Sequence, residues 1–328
     1  MPIRAAMPLH PFRPAAIRAA IDQLMDGIDM PQTLTLIANP AAPVLDDTLA
    51  KAARMALADL GASSSPADWL APGIACDIAF EGLNDDQAQA AAAKALAGQP
   101  VDIVAQATEG RRKSVLVADM ESTIIQQEML DELGELVGAR DRIATITARA
   151  MNGEIDFKGA LRERVALLAG LDAGVLTDMI SRITWMPGAP SLIATLKKHG
   201  VYCALVSGGF KTFTAHVAAT LGFDEDQAND LVIQGGKLTG LPTEPILDKD
   251  AKLQALIRIA GARRVPVAAS ITVGDGANDL PMLQAAGIGV AFHAKPTVAA
   301  QARACINHGD LTALLYIQGY RAGDIITP

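Results

Sequence analysis

The sequence predicts an α/β protein centred on a doubly wound parallel sheet, with an inserted helical cap and a small N-terminal α/β domain. Three observations lead there. First, short apolar runs stop abruptly at polar residues: Ser114–Ala118 at Asp119, Tyr202–Val206 at Ser207, Ile271–Val273 at Gly274-Asp275. Short runs without alternation suit strands covered on both faces. Second, segments of helical spacing lie between them and before a fourth run, Gly287–Phe292, and strands alternating with helices imply a parallel sheet. Third, four helical segments separate the first strand from the second, too many for one crossover, so they read as a cap over the sheet edge.

Taken in order, Met1–Gln32 reads as a proline-punctuated arm followed by a helix at Pro14–Met25. Thr33–Ala38 alternates polar and apolar residues, the pattern of a half-buried strand. Asp46–Leu60 spaces Leu and Met as a helix does, Ala75–Phe80 is a second strand, Asp85–Leu96 an alanine-rich helix and Val101–Ala107 a third strand. This unit ends at the charged segment Glu109–Lys113, whose run Arg111-Arg112-Lys113 reads as a solvated linker. The expected division is therefore 1–110 and 111–328, with the cap at about 125–185. In the cap, Glu128–Leu136, Asp141–Met151, Gly159–Leu168 and Asp172–Ile183 have helical spacing. In the core, Ser191–His199, Phe213–Leu221, Lys252–Ala260 and Pro281–Ala286 do.

Composition narrows the function. The chain has 328 residues, 50% apolar and 20% charged, a balance that suits globular cores. A net charge of −8 and only 4% aromatic residues argue against a nucleic-acid binder, which needs a basic surface or stacking platform. Cys76, Cys203 and Cys305 match no metal-binding spacing and are expected to be reduced, as in a cytoplasmic protein. No apolar run approaches the ~18 residues of a membrane span, so no membrane partner is expected. The N-terminal arm carries Arg4, Arg13 and Arg18 ahead of its first acid, faintly like a transit peptide, but proline breaks it and Ser and Thr are missing. An anionic substrate would need a local positive field, built from a metal and a few cations.

The strongest constellation is split along the chain. Asp119-Met120-Glu121-Ser122-Thr123 follows the first core strand and Ser207-Gly208-Gly209 the second. Lys252 opens a later helix, and Gly274-Asp275-Gly276-Ala277-Asn278-Asp279 follows the third strand. Each alone reads as a cap or a turn. In an open α/β sheet, however, ligands bind beyond the carboxyl ends of the strands, where all of these gather. Asp119 and Asp275 offer hard oxygen ligands that suit Mg²⁺. A carboxylate oxygen of Asp119 could attack phosphorus, with Glu121 as acid and then base. Ser207, the Gly208 amide and Lys252 could hold the phosphoryl oxygens, while Asn278 and Asp279 position metal ligands or Lys252.

These motifs resemble those of the haloacid dehalogenase superfamily: an Asp-x-Asp-x-Thr loop, a Ser or Thr after the second strand, a Lys, and a Gly-Asp-x-x-x-Asp loop. Within it the chain resembles the phosphoserine phosphatase family over roughly residues 114–320. Met120, Glu128, Met151–Phe157, Leu161–Val165, Met186-Pro187-Gly188, Ser207–Phe210 and His293-Ala294-Lys295-Pro296 carry that likeness. The resemblance implies Asp119 as nucleophile and Mg²⁺ ligand, and Glu121 as acid/base, with its main-chain carbonyl on the metal and Asp275 as the other protein ligand. It implies Glu128 and Arg164 as the grip on the amino-acid end of O-phosphoserine, and Ser207, Gly208, Lys252 and Asn278 as further substrate-binding residues. A planar guanidinium suits the substrate carboxylate, and Glu128 suits its ammonium. Phe157 and Met151 are placed to shield the site or to fill the cap. The implied activity is the last step of serine biosynthesis. The family has Asp where this chain has Glu121, which leaves acid/base chemistry open but moves its carboxylate by one methylene. Residues to about Gly110 are similar in element order to the ACT domain, with effector binding, homodimer formation or a structural role open.

Other readings separate on simple grounds. Another phosphatase or phosphotransferase of the same fold would differ in the cap. An ion pump shares the Gly-Asp-Gly-x-Asn-Asp-x-Pro string, completed here by Pro281, but needs spanning segments. A dehalogenase would not need the Asp119–Asp275 metal pair, and a non-catalytic binder would not need a nucleophile, lysine and metal acid together. His10, His199, His216 and His308 are scattered and read as surface or core residues, and His293 as shaping its loop.

Overall fold

The structure is a computed structural model, and it describes residues 31–151 and 154–328. The expected helix at Pro14–Met25 lies outside the described residues. The first elements are β1 (Gln32–Ala38), α1 (Asp47–Asp59), β2 (Ser63–Ser64), β3 (Asp68–Ala71), β4 (Ala75–Glu81), α2 (Asp85–Ala95) and β5 (Val101–Ala107). Asp46 caps α1 by accepting from the Leu49 amide, and Asn84 and Gln87 form a capping box on α2. The strands form an antiparallel sheet ordered β2-β4-β1-β5, with β3 also on β4. Leu34 and Leu36 of β1 pack with Ala53, Leu57, Ala88 and Ala92 of the two helices.

The expected half-buried β1 is in fact covered on both faces. Its other face meets the larger part of the chain: Ile37 joins that core, and the Thr35 hydroxyl donates to Asp77 at 2.7 Å. Hydroxyls at alternate positions thus look exposed in the pattern and are satisfied in the fold.

The larger part begins with β6 (Val115–Ala118), and four helices follow: α3 (Met129–Leu136), α4 (Arg140–Met151), α5 (Phe157–Ala166) and α6 (Gly174–Ile180). Then come α7 (Ala189–Lys198), β7 (Tyr202–Phe210), α8 (Lys211–Leu221), β8 (Glu225–Asn229), the hairpin β9 (Leu231–Gln234) and β10 (Lys237–Pro242), and α9 (Lys249–Arg263). The chain closes with β11 (Ser270–Gly274), α10 (Leu280–Ala285), β12 (Ile288–Phe292), α11 (Pro296–Ala299), β13 (Ala304–Ile306) and α12 (Ala313–Ile317). Six strands form a parallel sheet in the order β13-β12-β11-β6-β7-β8. All four residues of β6 are buried; Leu116 and Ala118 point into one apolar cluster, Val115 and Val117 into the other. That two-sided cover is why the run reads as continuous apolar sequence.

Several expectations need correction. The strand expected to stop at Val206 runs through Ser207-Gly208-Gly209 to Phe210, with an irregularity against β8 between Val206 and Phe210. The helix expected at Asp172–Ile183 is only Gly174–Ile180, because Asp172 instead bridges to Lys237 of the hairpin. Leu238 of β10 also bonds Gly170 and Leu171 of the cap, and the Gly236 carbonyl in the hairpin turn accepts from Ala173, so hairpin and cap are stitched together. β2, β3, β8, β9, β10 and β13 were not expected.

The basic run is not a solvated linker. Arg111 pairs with Asp77 at 2.7 Å, Arg112 lies over the Tyr320 ring at 4.1 Å, and the Lys113 ammonium donates to the carbonyls of Gly110 and Ala268. Beside it, the buried Asp102 of β5 sits in a nest of main-chain amides. Its carboxylate accepts from Asn307 at 2.7 Å, Gly309 at 2.7 Å and His308 at 3.1 and 3.2 Å. The buried Gln106 amide donates to the Ile317 carbonyl at 2.7 Å. Asp102→Ala leaves three amides without their acceptor, and an unsatisfied buried group costs about 1–3 kcal/mol. We expect roughly 3 kcal/mol of lost stability, seen as a lower urea midpoint, with Asp102→Asn milder; an unchanged midpoint for Asp102→Ala would remove the nest from the account.

Candidate active site

β6 and its neighbours β11 and β7 present their carboxyl ends side by side, so Asp119, Asp275 and the Ser207-Gly208-Gly209 segment converge. The chain passes from β6 to β7 on one side and later returns to β11 on the other, which opens a crevice between them. Asp119 is anchored by its own amide, which donates to the Val273 carbonyl at 3.0 Å. Its Oδ1 accepts from the Met120 amide at 2.8 Å and from Lys252 Nζ at 2.7 Å. Lys252, in the first turn of α9 and only 2% exposed, also donates to Asp279 at 2.5 Å. Asp279 is wholly buried, and its other oxygen takes the Gly276 amide at 3.0 Å. Gly274 is required beside it: a Cβ there would lie 2.3 Å from the Asp279 carboxyl carbon.

Burial pushes the Asp119 carboxyl up to about 8, with Asp279 adding to the rise and Lys252 opposing it. Burial and Asp279 likewise raise Asp275 to about 6. Burial alone would lower Lys252, but Asp119 and Asp279 hold it above its ordinary value. Carboxyl oxygens of Asp119, Asp275 and Asp279 lie within 4.8 Å of one another. A crowded, buried set of hard oxygen donors fits a divalent cation, which would offset the mutual repulsion. With both Asp279 oxygens engaged by Lys252 and Gly276, Asp119 and Asp275 are the freer donors.

Above this floor opens a cavity of about 470 Å³ between core and cap. Asp119, Glu121, Gly208, Asp275 and Asn278 face it from the core; Glu128 and Arg164 face it from the cap. Ser207 and Lys252 lie one layer behind, Ser207 accepting the Gly209 amide at 2.9 Å. Phe157 rests against Gly208, where an added Cβ would meet its ring at 3.1 Å. Among the described residues no histidine lines the cavity.

Glu121 shows how the longer side chain is housed. Its carboxylate lies across Gly209, where a Cβ would come within 2.9 Å of it. Its Oε1 accepts the amide of Met129, the first residue of α3, at 2.9 Å. Glu128 is the residue that flanks this helix, yet makes no capping bond; it takes the Ser122 hydroxyl at 2.7 Å. Ser122 adopts a left-handed backbone, φ 52°, to reach it. Core and cap are therefore cross-tied by two glutamates. Burial, then the charge of Glu128, push the Glu121 carboxyl up to about 8, against the Met129 amide. Burial pulls Arg164 down while Glu121, Asp131 and Glu128 hold it up, and among the described residues its guanidinium donates to the Ala160 carbonyl at 3.3 Å.

Sequence reasoning missed Asp131, Lys295 and Thr297 on the cavity wall, and Asn229 behind it. Asn229 donates to the Gly208 carbonyl at 2.8 Å and accepts the Leu247 amide at 2.7 Å, so it fixes the backbone of the Ser207-Gly208-Gly209 segment. Asp131 stands three residues after Glu128, a spacing that helices place on one face; Asn229 lies in a polar strand with no such signal.

The description of the haloacid dehalogenase-like hydrolases matches residues 116–284, a span holding both aspartates, Ser207 and Lys252. This chain belongs to that family. Among curated relatives of this hydrolase, a phosphoserine phosphatase of Lactococcus lactis is 45% identical over 203 residues, 62% of this chain and 94% of the relative. One of Streptomyces coelicolor is 42% identical over 250 residues, 76% of this chain but only 61% of its own length. The hydrolase thus spans about three fifths of that longer relative. A crystal structure of a probable phosphoserine phosphatase of Vibrio cholerae superposes with a TM-score of 0.72 at 29% identity, covering 89% of this chain and 88% of that one. A phospho-aspartyl intermediate analogue of a phosphoserine phosphatase superposes at 0.59 with 36% identity, over 62% of this chain and 98% of the other.

Proposed function

We propose that this hydrolase is a Mg²⁺-dependent phosphoserine phosphatase acting through phospho-Asp119, the last step of serine biosynthesis. One observation carries the reading: a buried aspartate held by Lys252 opens into the same cavity as a cap arginine and glutamate. The phosphoserine phosphatases among its relatives support it.

With Asp119 Oδ1 engaged by Lys252 and Met120, Oδ2 is the oxygen left for phosphorus. Attack forms the Asp119–phosphorus bond and breaks the phosphorus–serine oxygen bond, and Glu121 gives the leaving oxygen its proton. Water then adds to phosphorus, passing a proton to Glu121, and phosphate leaves with Asp119 restored. The Gly208 amide, Ser207, Lys252 and Asn278 hold phosphoryl oxygens as charge shifts among them. Mg²⁺ on Asp119, Asp275 and the Glu121 carbonyl would neutralise phosphoryl charge. Arg164 takes the serine carboxylate and Glu128 the ammonium. The same reading treats residues to about 110 as a separate, ACT-like domain, supported by their own sheet and apolar cluster. It places the enzyme in the cytoplasm, which the three free cysteines fit.

The test is phosphate release from a panel of phosphorylated amino acids and sugar phosphates, with and without Mg²⁺, followed by Arg164→Ala. A charge-assisted hydrogen bond contributes ~1.5–3 kcal/mol, so kcat/KM for phosphoserine should fall roughly 10- to 150-fold. Hydrolysis of p-nitrophenyl phosphate, which lacks the amino-acid end, should change little, and Arg164→Lys should rescue only in part. Equal loss on both substrates would make Arg164 structural.

A further inference from the structure

The segment His293-Ala294-Lys295-Pro296 stands beside the chemistry without a part in it. Charge suggests the part. Five carboxyl groups face the cavity, those of Asp119, Glu121, Glu128, Asp131 and Asp275. Arg164 and Lys295 are the cations that face it among the described residues, and Lys252 is already bound to Asp119 and Asp279. Arg164 feels Glu121, Asp131 and Glu128. Lys295 makes no ion pair within the described residues, and its side chain is exposed. A phosphate dianion approaching from solvent therefore meets an acidic rim on which, among the described residues, the Lys295 ammonium is held in no ion pair, although Asp275 feels its charge.

The backbone beneath Lys295 is fixed. His293 takes a left-handed conformation, φ 44°, its amide donating to Ile306 at 2.8 Å and its ring nitrogen bonded to the Gly309 carbonyl at 3.0 Å. The Lys295 amide points to the Asp275 carbonyl at 3.4 Å, and its own carbonyl accepts from Val298 at 2.9 Å. The ammonium thus has a flexible stem on a held base, at the cavity mouth beside the metal acid.

We propose that Lys295 is a substrate-recruiting residue, whose ammonium draws the phosphate dianion of the incoming monoester past the acidic rim. This rests on the phosphomonoesterase reading above, but not on which monoester is cleaved. The effect lies in binding and not in the chemical step, so KM changes and kcat does not. Being exposed, it is screened by salt. In the full-length enzyme with Mg²⁺, Lys295→Ala should weaken inorganic phosphate, measured by titration calorimetry, roughly three- to tenfold at low salt. KM for both phosphoserine and p-nitrophenyl phosphate should rise by a similar factor. The gap to wild type should close at high salt, Lys295→Arg should restore affinity, and Lys295→Glu should weaken it further. Wild-type phosphate affinity in Lys295→Ala at low salt would overturn the proposal, as would a salt-independent fall in kcat. Wild-type enzyme that cleaves p-nitrophenyl phosphate but not phosphoserine would overturn the substrate reading alone, since the phosphate titration reads Lys295 without turnover.

Discussion

Asp119→Asn is expected to abolish turnover while leaving a folded protein. An amide oxygen is a poor nucleophile and cannot form an acyl phosphate that water then clears. The fold should tolerate the change because it removes one charge from a buried acidic cluster. Lys252 keeps its 2.5 Å bond to Asp279, so no cation is stranded. Circular dichroism should match wild type, and the melting temperature should be equal or higher. The measurement is steady-state phosphate release from a sequence-verified sample whose mass excludes deamidation back to Asp. Substantial turnover in such a sample would sink the assignment of the nucleophile.

Glu121→Gln should reduce kcat by about 10²–10⁴-fold, the usual worth of a positioned proton transfer, with KM little changed. The fold again provides the control. Gln keeps an oxygen to accept the Met129 amide and the same bulk over Gly209, so the cross-tie to α3 survives while the proton donor is lost. A leaving group that needs no proton, such as p-nitrophenolate, should suffer less in the first step than serine does. Unchanged kcat with phosphoserine would take Glu121 out of the mechanism. Glu121→Asp retains the acid but withdraws the carboxyl by one methylene from the Met129 amide, so it tests the cross-tie and the reach of the proton donor together.

The catalytic core is legible in the sequence for a physical reason. Asp119, Glu121, Ser207 and Asp275 each end or follow an apolar run buried on both faces, and parallel topology sends those ends to one edge. The cap reads as helical from its spacing, and Arg164 and Glu128 follow from resemblance. The remainder fails for specific causes. Glu225–Asn229 has no apolar pattern because it is an edge strand, its carboxylates taken by Tyr202, Arg258, Lys211 and Thr214. Gly235-Gly236 between apolar flanks carries a hairpin signal that helix and strand periodicity does not use. Gly208 and Gly209 suggest a turn, yet their missing side chains make room for Phe157 and Glu121 along a continuing strand. Arg111-Arg112-Lys113 looks solvated because charge runs usually are; here the partners come from Asp77, Tyr320 and Ala268, distant in sequence. Lys295 lies in a segment that carries the family likeness, but its place on an acidic rim shows only once the acids around it are counted.

The Asp102 nest bears on how such chains can vary. In the buried hydrogen bonds to residues 307–309 and 317, the N-terminal sheet supplies side chains, Asp102 and Gln106, and the facing side supplies main chain. Substitutions at 307 and 308 can drift without erasing those amides, whereas position 102 has no substitute for its two oxygens. The side-chain pair Arg321–Asp68 lies toward solvent, where ion pairs add little, and Arg303–Asp85 is half-buried. A transplanted N-terminal sheet would therefore need, beside an apolar face to match Ile37, Leu70 and Val104, one carboxylate and one carboxamide at fixed places on its last strand, a narrow passport for exchanging modules between related hydrolases.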